Sequence, residues 1–327
     1  MINFCNKNDE RRCKLMDTIK IIPSSIIENF DSLHVADLTK EQQSLIIKHI
    51  ALTREVIEAN QLFDTFYYNL LNMRNSFTFN MDDTVFKTEK SPNYDNEYIA
   101  VNALVINLIS SAKTLTEYLR NAANRWLGND KDRYKDVYNK YVSNIYDTSF
   151  NYGLLSNLRN YMQHGNLPVS FQEGRYRFDA KQIIGTPHFD ISGKLGTDMK
   201  KFIEKCEIPG ETVPCLSLTL TISDYSLKVI DIYKKFLFYF KKEISSSYNE
   251  IQNLILNKPS IVCDYHPTLK GYIIYDCDDT FHTFNTNENP NKMMGRYEKK
   301  AADIYKEEKQ TYEKMHAQLK FPLNIKF

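Results

Sequence analysis

The chain has 327 residues, 42% hydrophobic and 25% charged, a balance that allows a sizeable core and excludes wholesale disorder. Lys and Arg (42) against Asp and Glu (41) leave a net charge of +1, which excludes a polybasic tail and argues against electrostatic coating of DNA. Glycine is scarce at 10 residues, which disfavours a turn-rich all-β chain or a Gly-loop nucleotide binder and favours helices.

Residues 1–40 read as an N-terminal arm with short helical pieces, ended by Pro23 and by the cap-like Thr39. The start, MINFCNKNDERRCKLMDTIKII, has neither the apolar stretch nor the cleavage site of a leader. From Glu41 to Phe77 the residues Leu45, Ile46, Ile50, Val56, Ile57, Leu62, Phe63, Phe66 and Leu70 recur at three and four, the period of a long helix with one buried face. Residues 78–96 are polar, contain Pro92 and read as a loop. A second helix is expected over Glu97–Leu127, stopped by Gly128 and Asn129, and a third over 130–146 with Tyr134, Val137, Tyr138, Tyr141 and Ile145 as its apolar side. A fourth runs from Phe150 to His164 and closes at Gly165, with Pro168 beyond.

Residues 169–222 change character: VSFQEGRYRF has the form of a hairpin turning at Glu173 and Gly174, and CLSLTLTI alternates as a strand does. Helical period returns at Asp224 and persists to Asn257. The remainder, 259–327, predicts a hairpin, GYIIYDCDDTFHTF, then a charged helix from Met293 to Leu319 suited to an exposed arm or a partner. No apolar run approaches the roughly 18 residues of a membrane span. The six cysteines (Cys5, Cys13, Cys206, Cys215, Cys263, Cys277) are widely spaced in a chain long enough to fold without disulfides. The expectation is a soluble protein of a reducing, cytoplasmic compartment with no membrane contact.

The segment Tyr146–Phe171, YDTSFNYGLLSNLRNYMQHGNLPVSF, carries the chemistry. Arg159 and His164 lie on one helix as Arg-x4-His, with Asn160 after the arginine and Gly165 ending the helix. This resembles the motif of the HEPN superfamily, in which an Arg is followed after four to six residues by a His and often directly by a polar residue. Leu158, Tyr161, Gln163, Leu167 and Pro168 extend the resemblance toward HEPN-like proteins of bacterial defence loci, and NALVINLISSAKTLTEYLRNAANRWLG sits where that family places its partner helix. The resemblance implies a mainly α fold: a HEPN-like helical bundle over 41–258 with small β-hairpin insertions near 169–222, then the C-terminal hairpin and charged helix. It also implies a metal-independent endoribonuclease without a cofactor, a homodimer sharing its site through the Phe150–His164 helix, and a role in toxin–antitoxin or anti-phage defence with an antitoxin or defence-system protein as partner.

Side-chain chemistry is consistent with that implication. RNA cleavage without a metal needs a base for the 2′-hydroxyl, an acid for the leaving oxygen and a cation for the charge on the phosphorus oxygens. Histidine serves either proton role, arginine offers a planar fork to phosphate, and the amide of Asn160 can orient an oxygen or the imidazole. Five residues span about 140° of helical arc, so Arg159 and His164 do not share one face, an offset that suits a site completed by a second copy. Glu117, Arg120 and Asn124, at helical spacing upstream, are candidate substrate-binding residues; a solvated face has the same pattern. An Arg and a His near a helix end also serve only to satisfy terminal carbonyls, and a silent dimer that scaffolds a partner or senses RNA stands as the alternative.

Other signals are set aside. Cys263, His266, Cys277 and His282 have zinc-ligand chemistry, but a hairpin through the last two need not bring them to the first pair. Asp276, Asp278 and Asp279 read as turn residues. KKFLFYFKK (Lys234–Lys242) interleaves bases and aromatics as single-strand binders do, yet its aromatics continue an apolar helical stripe.

Overall fold

A computed structural model describes residues 21–23, 40–80, 83–86, 94–127, 132–172, 175–189, 193–206, 215–256, 271–275, 281–285 and 290–318. These residues are mostly helical, as composition implied. The chain forms two compact units, Met1–Ile57 with Tyr239–Arg296 and Glu58–Phe238 with Tyr297–Phe327. Their boundaries fall inside three helices, α1 (Lys40–Ser76), α7 (Leu218–Leu256) and α8 (Pro290–Gln318).

In the first unit, β1 (Ile21–Pro23), β7 (Gly271–Tyr275) and β8 (Phe281–Asn285) form an antiparallel sheet in the order β1-β7-β8. The β7–β8 hairpin is the one expected, with Ile274 opposite His282. Ile21–Pro23 is a correction to the helical arm: two β-branched residues pair with β7, and Pro23 is accommodated because β1 lies at the sheet edge. The rest of residues 1–39 lies outside the described residues.

The helical core of this unit contains a buried imidazole. His49 is 2% exposed; its Nδ1 lies 3.0 Å from Ser247 Oγ and its Nε2 3.4 Å from Thr53 Oγ1. Burial lowers its pKa from 6.5 to about 4. The folded protein therefore holds the ring neutral where the unfolded chain already binds a proton, and stability is lost as pH falls from about 6.5 toward 4. The expected loss between pH 7 and pH 5 is about 2 kcal/mol. Urea unfolding at the two pH values should show it, and His49→Leu should flatten the dependence.

The second unit holds the rest of α1, the hairpin β2 (Phe77–Asn80) and β3 (Asp83–Phe86), α2 (Tyr94–Trp126), α3 (Asp132–Thr148) and α4 (Phe150–Gln163). Then come β4 (Ser170–Gln172), β5 (Arg175–Asp179), α5 (Ala180–Ile184), α6 (Gly193–Cys206), β6 (Cys215–Ser217), most of α7 and the end of α8. Strands β4, β5 and β6 form an antiparallel sheet in that order. The helix periods are found in large part: Val56, Phe63, Phe66 and Leu70 are buried on α1, and Leu108, Leu115 and Leu119 on α2, while Ile99, expected in the same row of α2, is exposed. On α3, Tyr138 and Ile145 are buried, but Val137, expected beside them, is exposed.

Four readings are corrected. The loop expected over 78–96 contains β2 and β3, whose Phe77, Phe79 and Val85 alternate with polar residues, the period of a strand. The strand expected from CLSLTLTI ends at Ser217, and α7 begins at Leu218. Leu218, Thr221, Ile222 and Tyr225, all buried, also fit a helical face, and Ser217 Oγ caps it by accepting from the Leu220 amide at 3.4 Å. Helix α6 was not foreseen, although Met199, Phe202 and Ile203 bury one side of it. Lastly, α8 is not an exposed arm: Ala301, Ile304 and Glu308 are buried, with Glu308 Oε1 2.5 Å from Arg74 Nη2 and its Oε2 accepting from Ser223 at 3.5 Å. KKFLFYFKK lies in α7 with Phe236, Leu237 and Phe240 fully buried, so the packing reading holds for those residues while Phe238 is exposed.

Residues Asn96–Trp126 of α2 are long and apolar enough to cross a membrane by length and composition, although no apolar run in the sequence approached the length of a span. Here the helix packs against α4 and α3. Asn102, 1% exposed, shows what such packing requires: its Nδ2 donates to Val169 O at 3.2 Å and its Oδ1 accepts from Val169 N at 2.9 Å. Leucine at this position leaves two buried backbone groups without partners, at about 1–3 kcal/mol each. Asn102→Leu should therefore cost about 3 kcal/mol in urea unfolding despite its greater apolarity.

Candidate functional site at the end of helix α4

Helix α4 is held at both ends by side chains. Ser149 Oγ accepts from the Tyr152 amide at 3.3 Å, and Asp224 of α7 accepts from Ser149 Oγ (3.4 Å) and Asn151 Nδ2 (2.9 Å). At the other end Gly165 adopts φ 81°, a left-handed turn that favours glycine, and its amide donates to Met162 O at 3.0 Å. Asn166 Nδ2 donates to Tyr161 O at 3.1 Å, satisfying another terminal carbonyl. Between the ends, Leu154, Leu155, Leu158 and Tyr161 are buried against the same unit, and α4 leaves Asn160, Gln163 and His164 exposed.

Arg159 lies at the margin of the buried face. Its Nη1 donates to both carboxylate oxygens of Glu117 on α2, each at 3.2 Å, and Lys113 Nζ approaches Glu117 at 3.6 Å. Arginine and carboxylate are both partly exposed, at 32% and 47%. Under this pair lies a cluster of buried hydroxyls. The Tyr152 and Tyr225 rings stack at 5.5 Å, and burial followed by the neighbouring charges raises both phenols; hydrogen bonds to Ser156, and for Tyr152 also to Thr116, oppose the rise.

The other upstream candidates face elsewhere. Asn124 Oδ1 accepts from Asn139 Nδ2 of α3 at 3.0 Å, and exposed Arg120 bears electrostatically on Tyr138 of α3. Of the row Glu117, Arg120 and Asn124, Glu117 is joined to Arg159 and the other two turn to α3.

Five positions beyond Arg159, His164 meets a different part of the unit. Its ring stacks on that of His188, with centroids 3.9 Å apart and planes 14° from parallel. His188 belongs to the turn after α5, which is held by the Gly185 amide on Lys181 O (2.9 Å), Thr186 Oγ1 on Ile183 O (2.9 Å) and the buried Phe189. Both imidazoles are exposed. Sequence reasoning missed His188, which stands 24 positions downstream in no motif spacing (188 − 164).

Among the described residues no group of three or more His, Cys, Asp or Glu is placed to hold a metal. Cys263, His266, Cys277 and the acidic run Asp276, Asp278 and Asp279 lie outside the described residues. No protein-family model matches the chain, and no match is found among curated proteins or solved structures.

The half-exposed pair Arg159–Glu117 contributes little to folding, since solvent screens it. Glu117→Gln should shift the urea unfolding free energy by less than about 1 kcal/mol. A larger loss would mean that the pair holds α2 to α4 and is not available for other work.

Proposed function

We propose that this chain is a metal-independent endoribonuclease of the HEPN type, acting on single-stranded or loop RNA. The observation that carries the reading is that the last turns of one helix present both an arginine held by a surface carboxylate and, five positions on, an accessible imidazole. In this reading the 2′-hydroxyl attacks the adjacent phosphorus, Arg159 stabilises the charge on the phosphorus oxygens, Asn160 orients, and His164 transfers a proton. Glu117 holds the guanidinium in place and yields it to the phosphorus oxygens, which fit the fork equally well and gain charge as the 2′-oxygen bonds to phosphorus. A homodimer brings two copies of the exposed strip Asn160, Gln163 and His164 to a shared cleft. Such an enzyme serves as a cytoplasmic toxin or anti-phage effector, restrained by an antitoxin or another defence protein.

One observation favours the alternative of a silent dimer that scaffolds a partner or senses RNA. Both oxygens of Glu117 are spent on Arg159, which is also the geometry of a purely structural ion pair.

The decisive experiment is incubation of total RNA with purified protein in EDTA, wild type beside His164→Ala. Cleavage by the wild type and none by the variant, with an unchanged oligomeric state, is the expected outcome. Undiminished cleavage by the variant would remove His164 from the site, and no cleavage by the wild type would leave the scaffold as the better reading.

A further inference from the structure

We propose that His188 is a second catalytic residue, working with His164 as the acid–base pair of the reaction; this rests on the ribonuclease reading above. Transesterification of RNA moves two protons at two different oxygens. One leaves the 2′-oxygen as it bonds to phosphorus, and one reaches the 5′-oxygen as its bond to phosphorus breaks. The products are a 2′,3′-cyclic phosphate and a 5′-hydroxyl, the base ends protonated and the acid ends neutral, so no outside reactant is required. A single imidazole per chain supplies one of these transfers, and a second copy of the chain would be needed for the other. His164 and His188 supply both within one chain.

The geometry suits that division of labour. Entering and leaving oxygens stand on opposite sides of phosphorus, separated by two P–O bonds, a span of the same order as the 3.9 Å between the ring centroids. The two rings lie 14° from parallel and both residues are exposed, so a phosphodiester can approach the edges of both from solvent.

His188 is also held for such work. Its turn is tied to α5 through Gly185 and Thr186 and anchored by buried Phe189, while the imidazole itself stays exposed. An exposed ring with no part in the core can be removed without loss of the fold.

The test is single-turnover cleavage of a single-stranded RNA by the full chain, as wild type, His164→Ala, His188→Ala and His188→Gln, with thermal melts of each. Each histidine variant should melt as the wild type does and cleave at least about a hundredfold more slowly. A second substrate carries sulfur in place of the 5′-bridging oxygen, a leaving group that needs no proton. It should restore cleavage to the variant lacking the acid and not to the variant lacking the base. Rescue of one histidine position alone supports the pair, whereas rescue of both or neither overturns it. If the wild type cleaves and both His188 variants keep its rate, the inference falls and the ribonuclease reading stands. If the wild type cleaves neither substrate, the ribonuclease reading falls and takes the pair with it.

Discussion

One buried amide determines how the chain leaves helix α4. Asn102 sits in an otherwise apolar stretch of α2 and gives both its donor and its acceptor to the backbone of Val169, six positions after Gln163 (169 − 163). Inside a core neither group of Val169 has water as an alternative, so the chain cannot shift along α2 without breaking both bonds. Upstream, Asn166 and the left-handed Gly165 bind the same short segment to the last turn of α4. His164 therefore projects from a segment pinned on both sides, and β4 begins directly after Val169. The placement of the small sheet and the direction of the imidazole have a common origin.

Two arginine–carboxylate pairs among the described residues of this unit differ in character. Arg74 and Glu308 are withdrawn from solvent, and burial raises the carboxyl while Arg74 and Ser223 hold it back. Breaking such a pair leaves an uncompensated charge in the core, so it behaves as part of the architecture. Arg159 and Glu117 make a similar contact at the surface, where solvent competes for each partner and exchange is cheap. Of the two, only the second has the energetics of a site that trades one anion for another. The hydroxyl cluster beneath it, Tyr152, Tyr225, Ser156 and Thr116, is polar yet satisfied internally, which gives that surface a firm base.

Much of the helical frame was legible because α1, α2 and α4 repeat apolar residues at three and four over many turns. Where a pattern fits two periods, sequence cannot choose: Leu218, Thr221, Ile222 and Tyr225 satisfy a helix as well as Leu-Thr alternation satisfies a strand, and the cap at Ser217 decides. Charge misled in α8, since Glu308 reads as a solvent residue and becomes a core residue only when Arg74 reaches it. In the candidate site, Arg159, Asn160 and His164 were legible as a local motif on one helix. Helical spacing grouped Glu117 with Arg120 and Asn124, and spacing alone does not tell that Glu117 meets Arg159 while Asn124 bonds Asn139 of α3. His188 left no trace in the sequence. Its contact with His164 depends on the lengths of two connections and the packing of α5, and no local pattern encodes these.

The order in which the chain is made has a bearing on the unit that carries the candidate site. That unit comprises Glu58–Phe238 and resumes at Tyr297, so its contributing segments are separated by the 58 residues between them (296 − 239 + 1). Arg74, Asp64 and Ser223 wait for α8: Glu308 to pair with Arg74 and Ser223, Lys300 and Tyr297 to meet Asp64 at 2.7 and 2.8 Å. On a ribosome, α4 and its arginine emerge long before these partners exist. A nascent chain thus carries the motif in an unfinished unit, and emergence of α8 supplies these missing partners. Timing of any activity at that site is written into the chain's topology.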